Sequence, residues 1–77
     1  MGRPNPYFRF RELRIAAGIR QTALSKRLGY APSVVSQWEN SGAIPSATQL
    51  PKIAHALGCS VEELYRPEVL RAAKGGG

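Results

Sequence analysis

The stretch Gln21–Asn40, QTALSKRLGYAPSVVSQWEN, decides the fold. Leu24 and Leu28 lie four apart, so they share one face of a helix. Gly29 follows, and a glycine enters the left-handed conformation that ends a helix at little cost. Val35 and Trp38, three apart, share one face of a second helix. Ser25 is small and lets that second helix cross close to the first. The pattern predicts helices over 21–28 and 32–40, joined by a tight turn at a steep angle. Pro32 suits the first helical position, where its missing N–H costs nothing.

Working outward, residues 1–7, MGRPNPY, hold two prolines, a glycine and an asparagine. They read as a flexible N-terminal arm. A helix is expected from about Phe8, with Phe10, Leu13, Ala16 and Ala17 as its apolar stripe and Gly18 as its end. Residues 41–45, SGAIP, form a loop. Leu50, Ile53, Ala54 and Leu57 make the apolar face of a fourth helix. Pro51 sits inside that pattern, which puts the helix start at Leu50 or Pro51, with 46–49 as a turn. Ser60-Val61-Glu62-Glu63 reads as a capping box opening a fifth helix over 61–65. Pro67 opens one or two further turns before the glycines. There is no strand pattern and no internal repeat. The expectation is an all-α, compact five-helix bundle, with an arm at 1–7, one domain at 8–66 and a tail at 67–77.

Seventy-seven residues with 43% apolar content suit one domain with one small core. Eleven Lys and Arg against five Asp and Glu give a net charge of +6, which favours a polyanionic partner. The single cysteine, Cys59, has no partner for an internal disulfide and reads as a buried structural thiol in a reducing cytoplasm. No apolar run reaches the length of a membrane span or signal peptide, so a cytoplasmic location and no membrane partner are expected. His55 has no Cys or His at ligand spacing and reads as a surface histidine. Glu62 and Glu63 are adjacent and do not face one another. With no phosphate-binding glycine loop, nucleophile elbow or metal motif, no catalytic, cofactor-binding or metal-binding residue is expected, and the chain reads as a non-enzyme.

Two helices across such a turn make a helix-turn-helix. The outward face of its second helix carries Ser33, Val34, Ser36, Gln37 and Asn40, uncharged groups of the kind that read base edges. Gln37 is the foremost reader, because its amide can pair bidentately with adenine. Ser33 and Ser36 suit bases or phosphates alike. Val34 has two readings: contact with a thymine methyl, or packing on the preceding helix. Gln21 stands at the N-terminus of the first of these helices, where free N–H groups and the dipole favour phosphate. Arg20 beside it and Asn40 after the second helix read as further backbone clamps. Arg3 and Arg9 suit phosphates or a minor groove, or equally a solvated arm. Lys26 and Arg27 point away from the core.

These residues resemble the phage repressor and Cro-like, or XRE-type, helix-turn-helix family. The likeness runs from about residue 8 to 65. It includes Leu13, Arg14, Gly18, Gln21, Leu24, Leu28-Gly29, Val35-Ser36, Trp38-Glu39-Asn40 and Pro45-Ser46. It continues through Ile53-Ala54-His55-Ala56-Leu57-Gly58 and Ser60-Val61-Glu62-Glu63-Leu64. The resemblance implies a five-helix domain, usually dimeric, that places its third helix in the major groove of an operator. It also implies a semi-buried structural ion pair between Arg14 and Glu39. The chain departs from the family pattern in four places. Arg20 and Ala31 stand where Ser or Thr would cap helices, Pro32 stands where a base-reading Gln is common, and Ser41-Gly42 lacks the usual lysine.

Residues and resemblance together predict a sequence-specific regulator of transcription that binds double-stranded DNA. The expected action is repression at a pseudo-palindromic operator, as a homodimer in contact through Ile44, Pro45 and Val61. The alternative is an antitoxin-like interaction protein that binds a protein partner through the tail, 66–77, and autoregulates its operon.

Overall fold

The computed structural model describes residues 5–75. Six helices follow in order: α1 (Phe10–Ala16), α2 (Gln21–Leu28), α3 (Pro32–Asn40), α4 (Gln49–Leu57), α5 (Val61–Leu64) and α6 (Pro67–Gly75). The all-α expectation holds, and the further turns expected after Pro67 form a sixth helix. α2 and α3 have the predicted bounds. Gly29 ends α2 at φ 77°, and the N–H groups of Gly29 and Tyr30 both donate to the Ser25 carbonyl. Ser25 is 2% exposed, and its hydroxyl turns back to the Thr22 carbonyl at 2.8 Å. A larger side chain there would push α3 outward. Pro32 opens α3 as expected.

α4 begins at Gln49, one residue earlier than its proline suggested. Pro51 is then the third helical residue, inside the first turn, where backbone N–H groups have no intrahelical partner to lose. The capping box is present: the Ser60 hydroxyl accepts from the Glu63 N–H at 3.2 Å, and the Glu63 carboxylate accepts from the Ser60 N–H at 3.3 Å.

The core is Phe8, Phe10, Leu24, Val35, Trp38, Leu50, Ile53, Ala54, Leu57 and Leu64. Phe10 stacks on Phe8 with ring centroids 4.7 Å apart and reaches Trp38 at 6.2 Å, while Tyr30 meets Trp38 edge-on at 5.7 Å. One aromatic chain therefore runs from the N-terminal segment to the heart of α3. Ala16 and Ala17 differ from expectation, for both are exposed. α1 is only two turns long, and Phe10 with half-buried Leu13 covers its inner face. α1 also starts later than expected, because Phe8 is extended. It bridges antiparallel to Tyr65, with the Arg9 N–H donating to the Leu64 carbonyl at 2.8 Å and the Arg66 N–H to the Tyr7 carbonyl at 2.9 Å.

The arm is the larger departure. Asn5 is buried, so residues 5–7 lie docked on the domain; residues 1–4 fall outside the described residues. Cys59 is half-buried, not fully buried. Desolvation, with a smaller contribution from Glu63, pushes its thiol above the ordinary range, and Arg9 offsets this in part. Among the described residues, no helix is long and apolar enough to cross a membrane.

Candidate nucleic-acid interface

α3 is held by its inner face, and this frees its outer one. Val35 and Trp38 are buried in the core. Glu39 is 2% exposed and receives a two-pronged guanidinium: Arg14 Nε lies 2.7 Å from Oε2 and Nη2 lies 3.1 Å from Oε1. Arg14 also donates through Nη1 to the Ile19 carbonyl at 2.8 Å. One side chain of α1 thus fixes both α3 and the turn leading into α2. The ion pair implied by the family resemblance is present.

The opposite face of α3 exposes Ser33 and Gln37, four apart and so stacked along one edge of the helix. Ser36 and Asn40 form a second pair, half-buried, with Asn40 Nδ2 3.3 Å from the Ser36 hydroxyl. Val34 packs against the core, which favours the packing reading over the thymine-methyl one. The structure therefore brings Ser33, Gln37, Ser36 and Asn40 onto one surface, with Gln37 the most open long side chain.

Arg20 is exposed at the N-cap of α2 and makes no side-chain cap bond. Ala31 leaves α3 equally without a side-chain cap. The first N–H groups of α2 are thus left to whatever lies outside the helix. Gln21 is placed differently from expectation. It is half-buried, and its amide nitrogen lies 3.5 Å from Glu39 Oε1. Its side chain leans on the buried carboxylate, while its backbone stays at the helix N-terminus. Arg9 is not brought to this surface. Its Nε donates to the Glu63 carbonyl at 3.0 Å, and it borders a cleft with Ser60, Glu62, Tyr65, Pro67 and Leu70. Arg3 lies outside the described residues. Lys26 and Arg27 are exposed.

The charge pattern adds what residue-by-residue reading missed. Glu39 is the sole acid between Glu12 and Glu62, and it is buried and paired. Arg20, Lys26, Arg27 and Lys52 therefore share the α2–α4 half with no exposed carboxylate. Around α1, α5 and α6, by contrast, Arg9, Arg11, Arg66, Arg71 and Lys74 are nearly matched in number by Glu12, Glu62, Glu63 and Glu68. Most of the surplus positive charge of the described residues sits on the half that carries α3.

Of the three residues expected at a dimer contact, Ile44 is 64% exposed and Val61 is half-buried against the core. Pro45 is buried within the protomer, because the loop turns inward there to lead into α4; it offers no surface to a partner. His55 is exposed. Among the described residues, no group of His, Cys, Asp and Glu is arranged to hold a metal.

A model of the helix-turn-helix family matches residues 10–64. The chain belongs to that XRE-type family. Repressor protein C2 of Salmonella phage P22 is 36% identical over 61 residues, which are 79% of this chain and 28% of that protein. The solution structure of the DNA-binding domain of the same repressor superposes with a TM-score of 0.66 at 38% identity, over 69% of this chain and 70% of that one. The restriction-modification controller protein C.AhdI from Aeromonas hydrophila gives 0.65 at 33% identity, over 70% and 82% of the two chains. The hydroxypropylphosphonic acid epoxidase from S. wedmorenis gives 0.69 at 37% identity, over 75% of this chain but only 31% of the enzyme. What this chain shares with the epoxidase is a helix-turn-helix portion; most of that enzyme has no counterpart here.

Proposed function

We propose that this chain is a sequence-specific regulator of transcription that binds double-stranded DNA, with α3 in the major groove. The observation that carries the reading is the exposed Ser33–Gln37 edge of α3, set in a half of the molecule whose one carboxylate is buried. An open amide is a bidentate partner for adenine. Arg20 and the N-terminal N–H groups of α2 supply contacts to phosphate, which position the domain without reading sequence. Asn40, beside the reading edge, is a further clamp, and the Gln21 contribution comes through its backbone.

The likeness to a phage repressor supports repression as the mode of action. A domain of this size gains specificity by pairing on two half-sites about one helical turn, roughly 34 Å, apart. Ile44, an open apolar side chain in the loop after α3, is our proposed point of contact between protomers, at a pseudo-palindromic operator. Selection of bound sequences from random duplex DNA tests the reading directly. The expected product is a pseudo-palindrome. Recovery of no enriched sequence by the folded protein would overturn it.

A further inference from the structure

Asn5 is 2% exposed, and every polar group it carries is engaged. Its Nδ2 donates to the carbonyls of Trp38 at 2.8 Å and Ala43 at 3.0 Å. Its Oδ1 accepts from the N–H groups of Tyr7 at 2.9 Å and Phe8 at 3.3 Å. Its own N–H donates to the Glu39 carbonyl at 3.2 Å, and its carbonyl accepts from Arg66 Nε at 2.7 Å.

Trp38 and Glu39 belong to the last turn of α3, where carbonyls have no intrahelical partner. The N–H of Ser41 closes the Gln37 carbonyl. Asn5 closes the next two from outside the helix, across 33 residues of sequence. Its contact with Ala43 ties down the loop that carries Ile44. The two carbonyls it holds immediately follow Gln37 in the chain.

We propose that Asn5 is a positioning residue for base reading: it sets the C-terminal end of α3 and the following loop against the N-terminal segment and, through Arg66, against the start of α6. This rests on the reading of α3 as the base-reading helix. The N-terminal end of α3 has no side-chain cap, so the helix is fixed from its core face and from this end. A bidentate pair between an amide and a base edge tolerates a misplacement of only about 0.5 Å. Contacts to phosphate tolerate more and carry no sequence information. Loss of the Asn5 bonds therefore acts on discrimination ahead of affinity at large.

The test compares wild type with Asn5→Ala and Asn5→Asp in the full chain, on a duplex selected from random DNA and on an unrelated duplex at equal salt. Asn5→Asp keeps the acceptor for Tyr7 and Phe8 and loses the donor toward Trp38 and Ala43. Both variants should lose about tenfold in specific over non-specific affinity, ~1.4 kcal/mol. Amide exchange should accelerate at residues 40–43 and stay unchanged in α2. In wild type the side-chain amide protons of Asn5 should exchange slowly. That last measurement decides the premise even where a variant fails to fold, for exchange at the solvent rate overturns the proposal. A wild-type affinity ratio in a folded variant overturns the positioning role alone. Wild-type protein that binds no duplex overturns the DNA reading and this proposal with it.

Discussion

Substituting Arg14 by methionine isolates the interaction that seats α3. The Glu39 side chain is 1% exposed, and two of its three donors come from Arg14. The third, Gln21 Nε2 at 3.5 Å, lies at the long limit of a hydrogen bond. Arg14→Met thus leaves a carboxylate out of reach of water with one weak donor. Stranding one partner of a buried pair costs roughly 3–5 kcal/mol. A chain of 77 residues has a total stability of about 4–12 kcal/mol, so the variant should be marginal. The reverse substitution, Glu39→Gln, should be milder. Arg14 keeps its bond to the Ile19 carbonyl, and with 14% of its side chain exposed it can reach solvent. Arg14→Met combined with Glu39→Leu should return to within about 1 kcal/mol of wild type, because a packed apolar pair needs no desolvation of charge. Urea unfolding followed by circular dichroism, at fixed salt and with Glu39→Leu alone added as the second single variant, gives all four corners of the cycle. An Arg14→Met variant within about 1 kcal/mol of wild type would refute the reasoning, since it would mean that water reaches Glu39. A double variant less stable than either single one would refute it too.

Gln37→Ala should weaken specific binding by about 1–3 kcal/mol and relax preference at one base pair per half-site; unchanged preference at every position would remove α3 as the reader. Arg20→Ala should weaken binding to all sequences alike and flatten the slope of log K against log salt by about 0.9. A change confined to one sequence would count against its phosphate role. Ile44→Asp should abolish cooperative occupancy of a full site while the protomer stays folded. Sedimentation of wild type at one chain per saturated site would rule the dimer out. Cys59 should alkylate more slowly at pH 8 in the folded chain than in urea, because burial raises its pKa and lowers the thiolate fraction. Equal rates would contradict that.

The parts of the fold legible in the sequence are those set by local periodicity and capping. Leu24, Leu28 and Gly29 fixed α2 to the residue, and Ser60 with Glu63 announced α5. The Arg14–Glu39 pair was accessible only through the family's spacing, since nothing local links residues 25 apart. Several of the misreadings share a cause: each depends on packing set by residues distant in the chain. The prolines flanking Asn5 describe an extended segment truthfully, but they say nothing of the helix end that awaits its side chain. Pro45 looks like a loop residue, yet it is interior. Arg9 looks free in a basic N-terminal segment until α5 presents a carbonyl. Gln21 looks like an open clamp until Glu39, buried by tertiary packing, draws its amide inward.

The unequal sharing of charge between the two halves makes the folded chain an electrical rotor. Within about one Debye length of a polyanion, roughly 10 Å at 0.1 M salt, the field exerts a torque as well as a pull. It turns the α2–α4 half forward and leaves the nearly balanced α1, α5 and α6 half trailing. On the proposed reading, collisions that would meet the other side are thereby converted, during approach, into ones that meet the α2–α4 half. The gain appears in the association rate, not in the lifetime of the bound state. It should fade as salt rises, before the contacts themselves are lost. By keeping its one central carboxylate inside, paired to Arg14, the chain both anchors α3 and keeps the α2–α4 half free of exposed negative charge.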